Sequence, residues 1–233
     1  MEIVRLEPTS LIDYPGQVAA VGFVAGCNFR CPFCHNPQLV LPEKALRSPP
    51  LPEGDVLRCL AERRGFLDGL VITGGEPALQ PGLERFVREV KALGLLVKLD
   101  TNGSRPDVLE RLLDAGLLDY VAMDVKAPFA RYAEFAGACV DLSAMERSIR
   151  LVRERAPDYE FRTTVAPGLR LDDLDALADR LGGARRWFLQ HFVVPPTKEL
   201  VDPAWGAMAA LSRQELEAAW ETLRDEVLEG GVR

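Results

Sequence analysis

Apolar residues in this chain fall into short runs, and between the runs an apolar position recurs every three or four residues. The runs are rich in valine and leucine and predict buried strands at 17–24, 69–73, 95–99, 118–123, 159–165 and 186–190. The stretches between and after them predict helices at 53–64, 81–93, 106–115, 129–135, 143–155, 171–181 and 212–228. Ahead of the first run, residues 1–16 predict a short strand followed by a turn.

Capping signals and prolines refine this pattern. Ser143 with Glu146, and Ser212 with Glu215, have the spacing of a capping box, in which each side chain bonds the other residue's backbone N–H at a helix start. Residues 37–52 contain five prolines, which are excluded from the interior of helices and central strands. We therefore expect a surface loop over 37–52.

Strands that alternate with helices predict parallel βαβ units. Six such strands are too few for a closed eight-stranded barrel. The predicted fold class is therefore α/β, an open, partial (β/α)6 barrel of the TIM type with its core over 17–192 and a C-terminal helix at 212–228. No linker or internal repeat divides the chain, so we expect a single domain over 1–233.

Composition narrows the classes of partner. The formal net charge of −7 argues against a general nucleic-acid-binding protein. No apolar run reaches the roughly 18–20 residues that span a bilayer, and the first residues lack the apolar core of a signal peptide. We expect a cytoplasmic protein with neither nucleic acid nor membrane as a partner.

Polar residues collect after the predicted strands, at the rim where parallel barrels carry their functional groups. Asp124 and Lys126 are two residues apart, so they share one face of a strand. Gln190 and His191 are adjacent, so only one of them faces the barrel interior, and the sequence leaves open which. The candidates at this rim are Gly74, Gly75, Glu76, Asp100, Thr101, Asn102, Asp124, Lys126, Arg162, Gln190 and His191.

Three cysteines follow the first strand of the barrel with the spacing C-x3-C-x2-C: Cys27, Cys31 and Cys34. Three thiolates in one loop suit an iron–sulfur cluster with one iron left open to a ligand. The readings that compete are a buried core loop, a zinc site that includes His35, a thioredoxin-like pair and a disulfide. The other two cysteines, Cys59 and Cys139, lie in apolar patterns and are predicted to be core residues.

The cysteine motif and its flanks resemble a known family. The sequence over 26–37 is GCNFRCPFCHNP, and TSLIDYPG at 9–16 precedes it. Together they resemble the radical S-adenosylmethionine (SAM) superfamily, in particular the activating enzymes of glycyl-radical enzymes. Among these, the chain is most similar to the activating proteins of anaerobic ribonucleoside-triphosphate reductases, over roughly residues 9 to 200.

The resemblance implies roles for the candidate residues. Cys27, Cys31 and Cys34 would hold a [4Fe–4S] cluster, and Gly74, Gly75 and Glu76 would hold the amino group of SAM. Asp124 and Lys126 would bind the amino-acid end of SAM, and Arg162 could pair with a carboxylate. Phe33 would pack near the adenine, and Gln190 or His191 would contact the ribose or adenine. Asp100, Thr101 and Asn102 would lie beside the SAM carboxylate, where the resemblance also implies a monovalent cation.

The implied reaction is reductive cleavage of SAM to a 5′-deoxyadenosyl radical, which takes hydrogen from a backbone glycine of a partner glycyl-radical enzyme. A flavodoxin- or ferredoxin-type protein would supply the electron. One alternative is a radical SAM enzyme that acts on a small molecule, similar to 7-carboxy-7-deazaguanine synthase. The other is a non-catalytic iron–sulfur or zinc protein, which would bind no SAM.

Overall fold

Eight strands form one sheet in the computed structural model, which describes residues 1–44 and 49–233. Strand β1 is antiparallel to β2, and all later neighbours are parallel, in chain order from β2 to β8. Strands β1 and β8 are the two edges, so the sheet is open. The strands are β1 Ile3–Ser10, β2 Ala19–Val24, β3 Gly69–Gly74, β4 Leu96–Thr101, β5 Tyr120–Asp124, β6 Tyr159–Val165, β7 Arg186–His191 and β8 Glu229–Val232.

Helices follow the parallel strands and contribute their apolar positions to one large core with the outer face of the sheet. Leu70, Leu99, Phe161 and Trp187 belong to this core and are buried. The helices are α1 Pro37–Val40, α2 Glu53–Glu62, α3 Leu83–Ala92, α4 Pro106–Asp114, α5 Tyr132–Ala136, α6 Leu142–Arg155, α7 Leu171–Leu181 and α8 Arg213–Leu223. This arrangement confirms the prediction of an open, partial α/β barrel.

The inner face of the sheet has a different composition. A small apolar cluster that includes Tyr14, Val21, Val71 and Tyr120 fills part of it. Beside that cluster, alternate positions of β4, β5 and β6 carry charged side chains. The interior of the barrel is therefore partly polar, and its polar part reaches the carboxyl ends of the strands.

The predicted strands match β2 to β7, and the predicted first strand matches β1. Strand β8 was not predicted, since it has four residues and two of them are glycines, which are depleted in strands. The C-terminal helix was predicted to extend to residue 228, but α8 ends at Leu223 and a 3₁₀ turn at Arg224–Glu226 leads into β8. The prediction of a single domain over 1–233 stays a prediction.

Two local predictions were wrong, and one was confirmed. Helix α6 is capped by Asp141, whose carboxylate accepts from the backbone N–H groups of Ser143 and Ala144, so Ser143 is not the cap. The capping box of Ser212 and Glu215 is present at α8. The prediction of a loop at 37–52 missed α1, which begins at a proline where no backbone N–H is needed; residues 45–48 lie outside the described residues.

The two isolated cysteines do not both belong to the core. Cys59 is half-buried on α2, whereas Cys139 is exposed in the connection after α5, so the prediction of a buried Cys139 was wrong. The apolar neighbours of Cys139 suggested a helix, but α5 ends at Ala136 before Gly137. Within the described residues, no helix has the length and apolar character to cross a membrane.

Candidate active site

A cavity of about 230 Å³ opens at the carboxyl ends of the parallel strands. Its walls come from the loop after β2 and from the ends of β3, β4, β5 and β6. The predicted site residues that line it are Cys27, Cys31, Phe33, Cys34, Gly74, Gly75, Asp100, Thr101, Asn102, Asp124, Lys126 and Arg162. The strand-end rule thus brought together residues that are far apart in the sequence.

The cysteine loop after β2 is fixed by backbone hydrogen bonds from several sides. Within the loop, the N–H of Cys34 donates to the Cys31 carbonyl at 2.9 Å. The N–H of Arg30 donates to the Ala136 carbonyl at 2.8 Å, and the N–H of Val201 donates to the Cys34 carbonyl at 3.0 Å. The three thiols are therefore presented to the cavity by a backbone that other parts of the chain hold in place.

The loop after β3 packs directly on the cysteine loop. Gly74 has a φ of +115°, which L side chains rarely adopt, and a Cβ on Gly75 would lie 2.0 Å from the Gly26 carbonyl oxygen. The N–H of Gly75 donates to Val24 and the N–H of Glu76 donates to Gly26, both at 2.8 Å. These two N–H groups therefore hold the loop after β3 against the cysteine loop.

Among the described residues that line the cavity, Glu76 is absent, although the resemblance implied that it would hold the amino group of SAM. Its side chain is 1% exposed. Its carboxylate accepts from Thr101 Oγ1 and from the Asn102 N–H, both at 2.7 Å, and from the Ala78 N–H at 3.0 Å. Burial raises the pKa of Glu76 to about 7, although these hydrogen bonds oppose the shift. Glu76 therefore fixes the loop after β4.

Charged side chains at the ends of β4, β5 and β6 form one network. Arg162 bridges two carboxylates, with Nε 2.8 Å from Asp124 Oδ1 and one terminal nitrogen 3.2 Å from Asp100 Oδ2. Lys126 Nζ donates to Asp124 Oδ2 at 2.8 Å, and Lys98 Nζ pairs with Asp100 Oδ1. Burial opposes ionisation of both acids, but the neighbouring cations outweigh it and hold the pKa of Asp100 and of Asp124 below the usual value.

With this geometry known, the comparison with protein families is decisive. Residues 21–181 match the profile of the radical SAM superfamily. The chain belongs to this superfamily. It is therefore a radical SAM enzyme, and the family implies a [4Fe–4S] cluster and SAM as its cofactors.

Individual relatives agree with the family. The chain is 35% identical over 191 residues to a proposed glycyl-radical enzyme activating enzyme of Methanocaldococcus jannaschii, which covers 78% of this chain and 76% of that protein. It is also 35% identical over 132 residues to a 7-carboxy-7-deazaguanine synthase of Methanopyrus kandleri, covering 49% of this chain and 52% of the synthase. The fold resembles that of SuiB from Streptococcus suis at a TM-score of 0.69 and 14% identity, covering 91% of this chain and 48% of SuiB.

The cysteine donors fit the cluster that the radical SAM family implies. Burial raises the pKa of Cys27 to about 11 and of Cys31 to about 12, so ionised thiolates at these positions need positive charge beside them, which a metal centre supplies. Within residues 1–44 and 49–233, no group of three Cys, His, Asp or Glu side chains is arranged to hold a single metal ion. A cubane cluster bonds each cysteine to a different iron, so its three thiolates need not converge on a single metal ion.

The register of β6 and β7 distinguishes Gln190 from His191. Gln190 pairs with Thr164, and Thr164 Oγ1 donates to Gln190 Oε1 at 3.2 Å. Thr164 lines the cavity, whereas His191 pairs with Val165 on the opposite face. Gln190 is therefore the residue that faces the barrel interior, beside Thr164 on the neighbouring strand. Neither Gln190 nor His191 is among the described residues that line the cavity.

Several residues near the radical SAM site were not predicted from the sequence. Asn102 Nδ2 lies 3.0 Å from Asn28 Oδ1 and 3.8 Å from Cys27 Sγ, so Asn28 links the cysteine loop to the loop after β4. Thr164 could have been found, because it lies two residues beyond Arg162 on the same strand face. Lys98 could have been found in the same way, because it lies two residues before Asp100 on the same face of β4.

Aromatic residues complete the wall beside the third cysteine. Phe33 is buried, with ring centroids 6.4 Å from Phe135 and 6.0 Å from Trp205. The ring of His35 stacks on Phe192 with centroids 5.6 Å apart, and its Nε2 is buried without a partner among the described residues. Phe33 lines the cavity, and the contact with adenine that the resemblance implied for it stays a prediction.

Proposed function

We propose that this radical SAM enzyme activates a glycyl-radical enzyme by removing a hydrogen atom from a backbone glycine of that partner, and that an anaerobic ribonucleotide reductase is the partner to test first. The observation that carries the proposal is the convergence of three thiols and a charged network on one cavity, in a chain similar over most of its length to a proposed activating enzyme. A flavodoxin- or ferredoxin-type protein is the reductant we propose.

The residues of the cavity suggest how the cofactors would be held. Cys27, Cys31 and Cys34 would ligate the cluster. Lys126 and Arg162 offer cations that complement the carboxylate of SAM, and Asp124 holds both cations at the cavity wall. When bound, the cluster and SAM supply one-electron cleavage chemistry that yields methionine and a 5′-deoxyadenosyl radical.

The roles of the remaining residues are positional in this proposal. Gly74 and Gly75 let the loop after β3 lie close to the cysteine loop, and Glu76 holds Thr101 and Asn102 at the cavity wall. Phe33 would border the nucleoside end of SAM, and Gln190 would hold Thr164 at the cavity wall. No side chain is required as a base or a nucleophile.

The open end of the sheet favours a substrate that approaches from outside. The cavity lies at the carboxyl ends of the parallel strands, and the edge strands β1 and β8 do not close the sheet. A loop of a partner protein, placed across that end, would reach the cavity.

The test is anaerobic and follows the hydrogen atom. We would reconstitute the protein with iron and sulfide, reduce it, and add SAM and a candidate reductase. The reductase is produced in cells supplied with glycine that is deuterated at its α-carbon. We expect 5′-deoxyadenosine that contains deuterium, together with the paramagnetic signal of a glycyl radical on the reductase. The same reaction with the Cys31→Ala protein is the control and should give neither product.

The other functions predict different results. A synthase of the 7-carboxy-7-deazaguanine class would form 5′-deoxyadenosine only with a pterin substrate, and the deuterium of the reductase would stay in place. A non-catalytic iron–sulfur or zinc protein would form none under any condition. Either result would contradict the proposed activation of a glycyl-radical enzyme.

A further inference from the structure

Lys98 is a buried cation to which the proposed function gives no role. It lies on the inner face of β4 and is 2% exposed. Its Nζ pairs with Asp100 and lies 5.8 Å from the centroid of the Tyr120 ring. Burying a lysine charge is costly unless a partner offsets the loss of water, so a buried lysine at a functional cavity calls for an explanation.

The acids around Lys98 are fully engaged by cations of the protein itself. Of the two Asp100 oxygens, one pairs with Lys98 and the other with Arg162. Of the two Asp124 oxygens, one pairs with Arg162 and the other with Lys126. Each carboxylate oxygen that a hard metal cation would use as a ligand already has a cationic donor.

The charge balance of this group also disfavours a further cation. Lys98, Lys126, Arg162 and Arg233 contribute four positive charges, and Asp100, Asp124 and Glu160 contribute three negative charges; Glu160 lies 4.0 Å from Arg162 and pairs with Arg233. Thr101, the next residue after Asp100, directs its hydroxyl to Glu76. The residues present therefore do not fit the monovalent cation that the family resemblance implied at Asp100, Thr101 and Asn102.

We propose that the Lys98 ammonium takes the place of that cation, so that the site needs neither K⁺ nor Na⁺. Lys98 is a positioning residue: it neutralises Asp100 and leaves Arg162 to bridge Asp100 and Asp124 at the cavity wall. The inference rests on the proposed function only in that this wall would face SAM. The charge arrangement itself is present without the cluster or SAM and can be tested without them.

The first experiment uses the unaltered protein. Its thermal unfolding midpoint, without cluster or SAM, is measured in KCl, NaCl and choline chloride at equal ionic strength, and SAM affinity is then measured on the cluster-loaded protein in the same salts. We expect the same unfolding midpoint in all three salts and SAM affinities that agree within about twofold. A saturable increase in either quantity with K⁺ or Na⁺, absent with choline, would overturn the proposal.

The second experiment removes the ammonium while keeping the length of the side chain, as in Lys98→Met. The variant leaves Arg162 as the one cation paired with Asp100, so we expect it to gain a dependence on small cations. In choline its unfolding midpoint should fall and SAM should bind about tenfold more weakly, and K⁺ or Na⁺ should restore part of both in a saturable manner. Indifference of the folded variant to the salt would contradict the proposal.

Two further variants separate this effect from a general loss of charge. Lys98→Arg keeps a cation and should remain indifferent to the salt. Lys91→Met breaks a comparable lysine–aspartate pair, with Lys91 Nζ 2.7 and 2.8 Å from the Asp119 oxygens and half-exposed, outside the cavity. It should show no dependence on K⁺ or Na⁺. If Lys98→Met does not fold, the salt series on the unaltered protein decides alone.

The failure of this inference and the failure of the proposed function have different signatures. Unfolding without cofactors reports on the charge network alone, and 5′-deoxyadenosine formation reports on the chemistry. A protein that is indifferent to the salt but cleaves no SAM would contradict the function and leave the assignment of Lys98 in place. SAM cleavage that depends on K⁺ would support the radical chemistry and contradict the assignment of Lys98.

Discussion

The two faces of the sheet follow different rules. On the outer face, residues such as Phe161 and Trp187 are buried against helices, and any apolar side chain of similar shape would serve. On the inner face, the neighbouring residue Arg162 is fixed by two carboxylates at 2.8 and 3.2 Å. The outer face therefore supplies most of the stability, and the inner face supplies an arrangement of charges that few other residues could reproduce.

This difference also separates the chain from a closed barrel. In an eight-stranded α/β barrel, layers of apolar side chains fill the interior. Here the apolar inner cluster that includes Val71 and Tyr120 fills only part of the interior, and charged residues of β4, β5 and β6 occupy the rest. Polar contents suit an open barrel whose carboxyl end, in the function we propose, receives charged cofactors.

The largest effect is expected at the rim of the inner face. Cys31→Ala should abolish SAM cleavage, because loss of one thiolate leaves two protein ligands for the cluster. Reconstituted iron content and 5′-deoxyadenosine formation measure the effect. Cys139→Ala is the matched control, since Cys139 is exposed and does not line the cavity, and it should retain full activity. Full activity of Cys31→Ala would remove the cysteine loop from the reaction.

On the outer face we expect a loss of stability without a loss of binding. Phe161 is completely buried, and Phe161→Ala should lower the free energy of unfolding by about 3–5 kcal/mol through lost burial and a new cavity. Urea unfolding measures this change. SAM affinity per folded molecule should stay the same. A large drop in affinity would show that the two faces are not independent.

The next residue along the same strand should behave in the opposite way. Arg162→Met leaves Asp100 and Asp124 with one cation each and should cost less stability, about 2–3 kcal/mol, because Lys98 and Lys126 remain paired with them. SAM affinity should fall more in Arg162→Met than in Phe161→Ala, because Arg162 lines the cavity. Unaltered affinity in a folded Arg162→Met protein would place the SAM carboxylate elsewhere.

The sequence predicted these two faces to different extents. Apolar periodicity located β2 to β7 and most helices, because each strand buries its outer positions. The strand-end rule brought Cys31, Asp124 and Arg162 to one rim. It did not reveal that the Glu76 carboxylate turns away from the cavity, since the direction of that side chain depends on hydrogen bonds to the loop after β4. The strand-end rule missed Lys98 because this residue lies within β4, two residues before Asp100.

Glu76 links the loop after β3 to the loop after β4, and its ionisation should make the free energy of unfolding depend on pH. Burial raises its pKa from 4.5 to about 7 in the folded protein. Below the unfolded value the carboxyl is protonated in both states and its contribution is fully present; as pH rises through the folded value that contribution is lost.

The free energy of unfolding should therefore fall by about 2 kcal/mol between about pH 5 and 7 from this group alone. The measurement is urea unfolding of the unaltered protein and of Glu76→Gln across that range. Because Gln does not titrate, the difference between the two proteins should shrink or change sign as pH rises. A difference that stays constant would mean that the three hydrogen bonds to the carboxylate keep it ionised throughout.

The smallest expected effect lies in the helical layer that covers the outer face. The Asp141 carboxylate accepts from the Ser143 N–H at 2.9 Å and the Ala144 N–H at 3.1 Å, which satisfies two donors at the start of α6. Asp141→Ala should lower the free energy of unfolding by about 1 kcal/mol, whereas Ser143→Ala, at the position favoured by the sequence pattern, should cost only a few tenths. Urea unfolding of the two variants compares them directly. Equal costs would contradict the assignment of the cap, and a change in SAM affinity would show that this outer helix, too, positions the inner face.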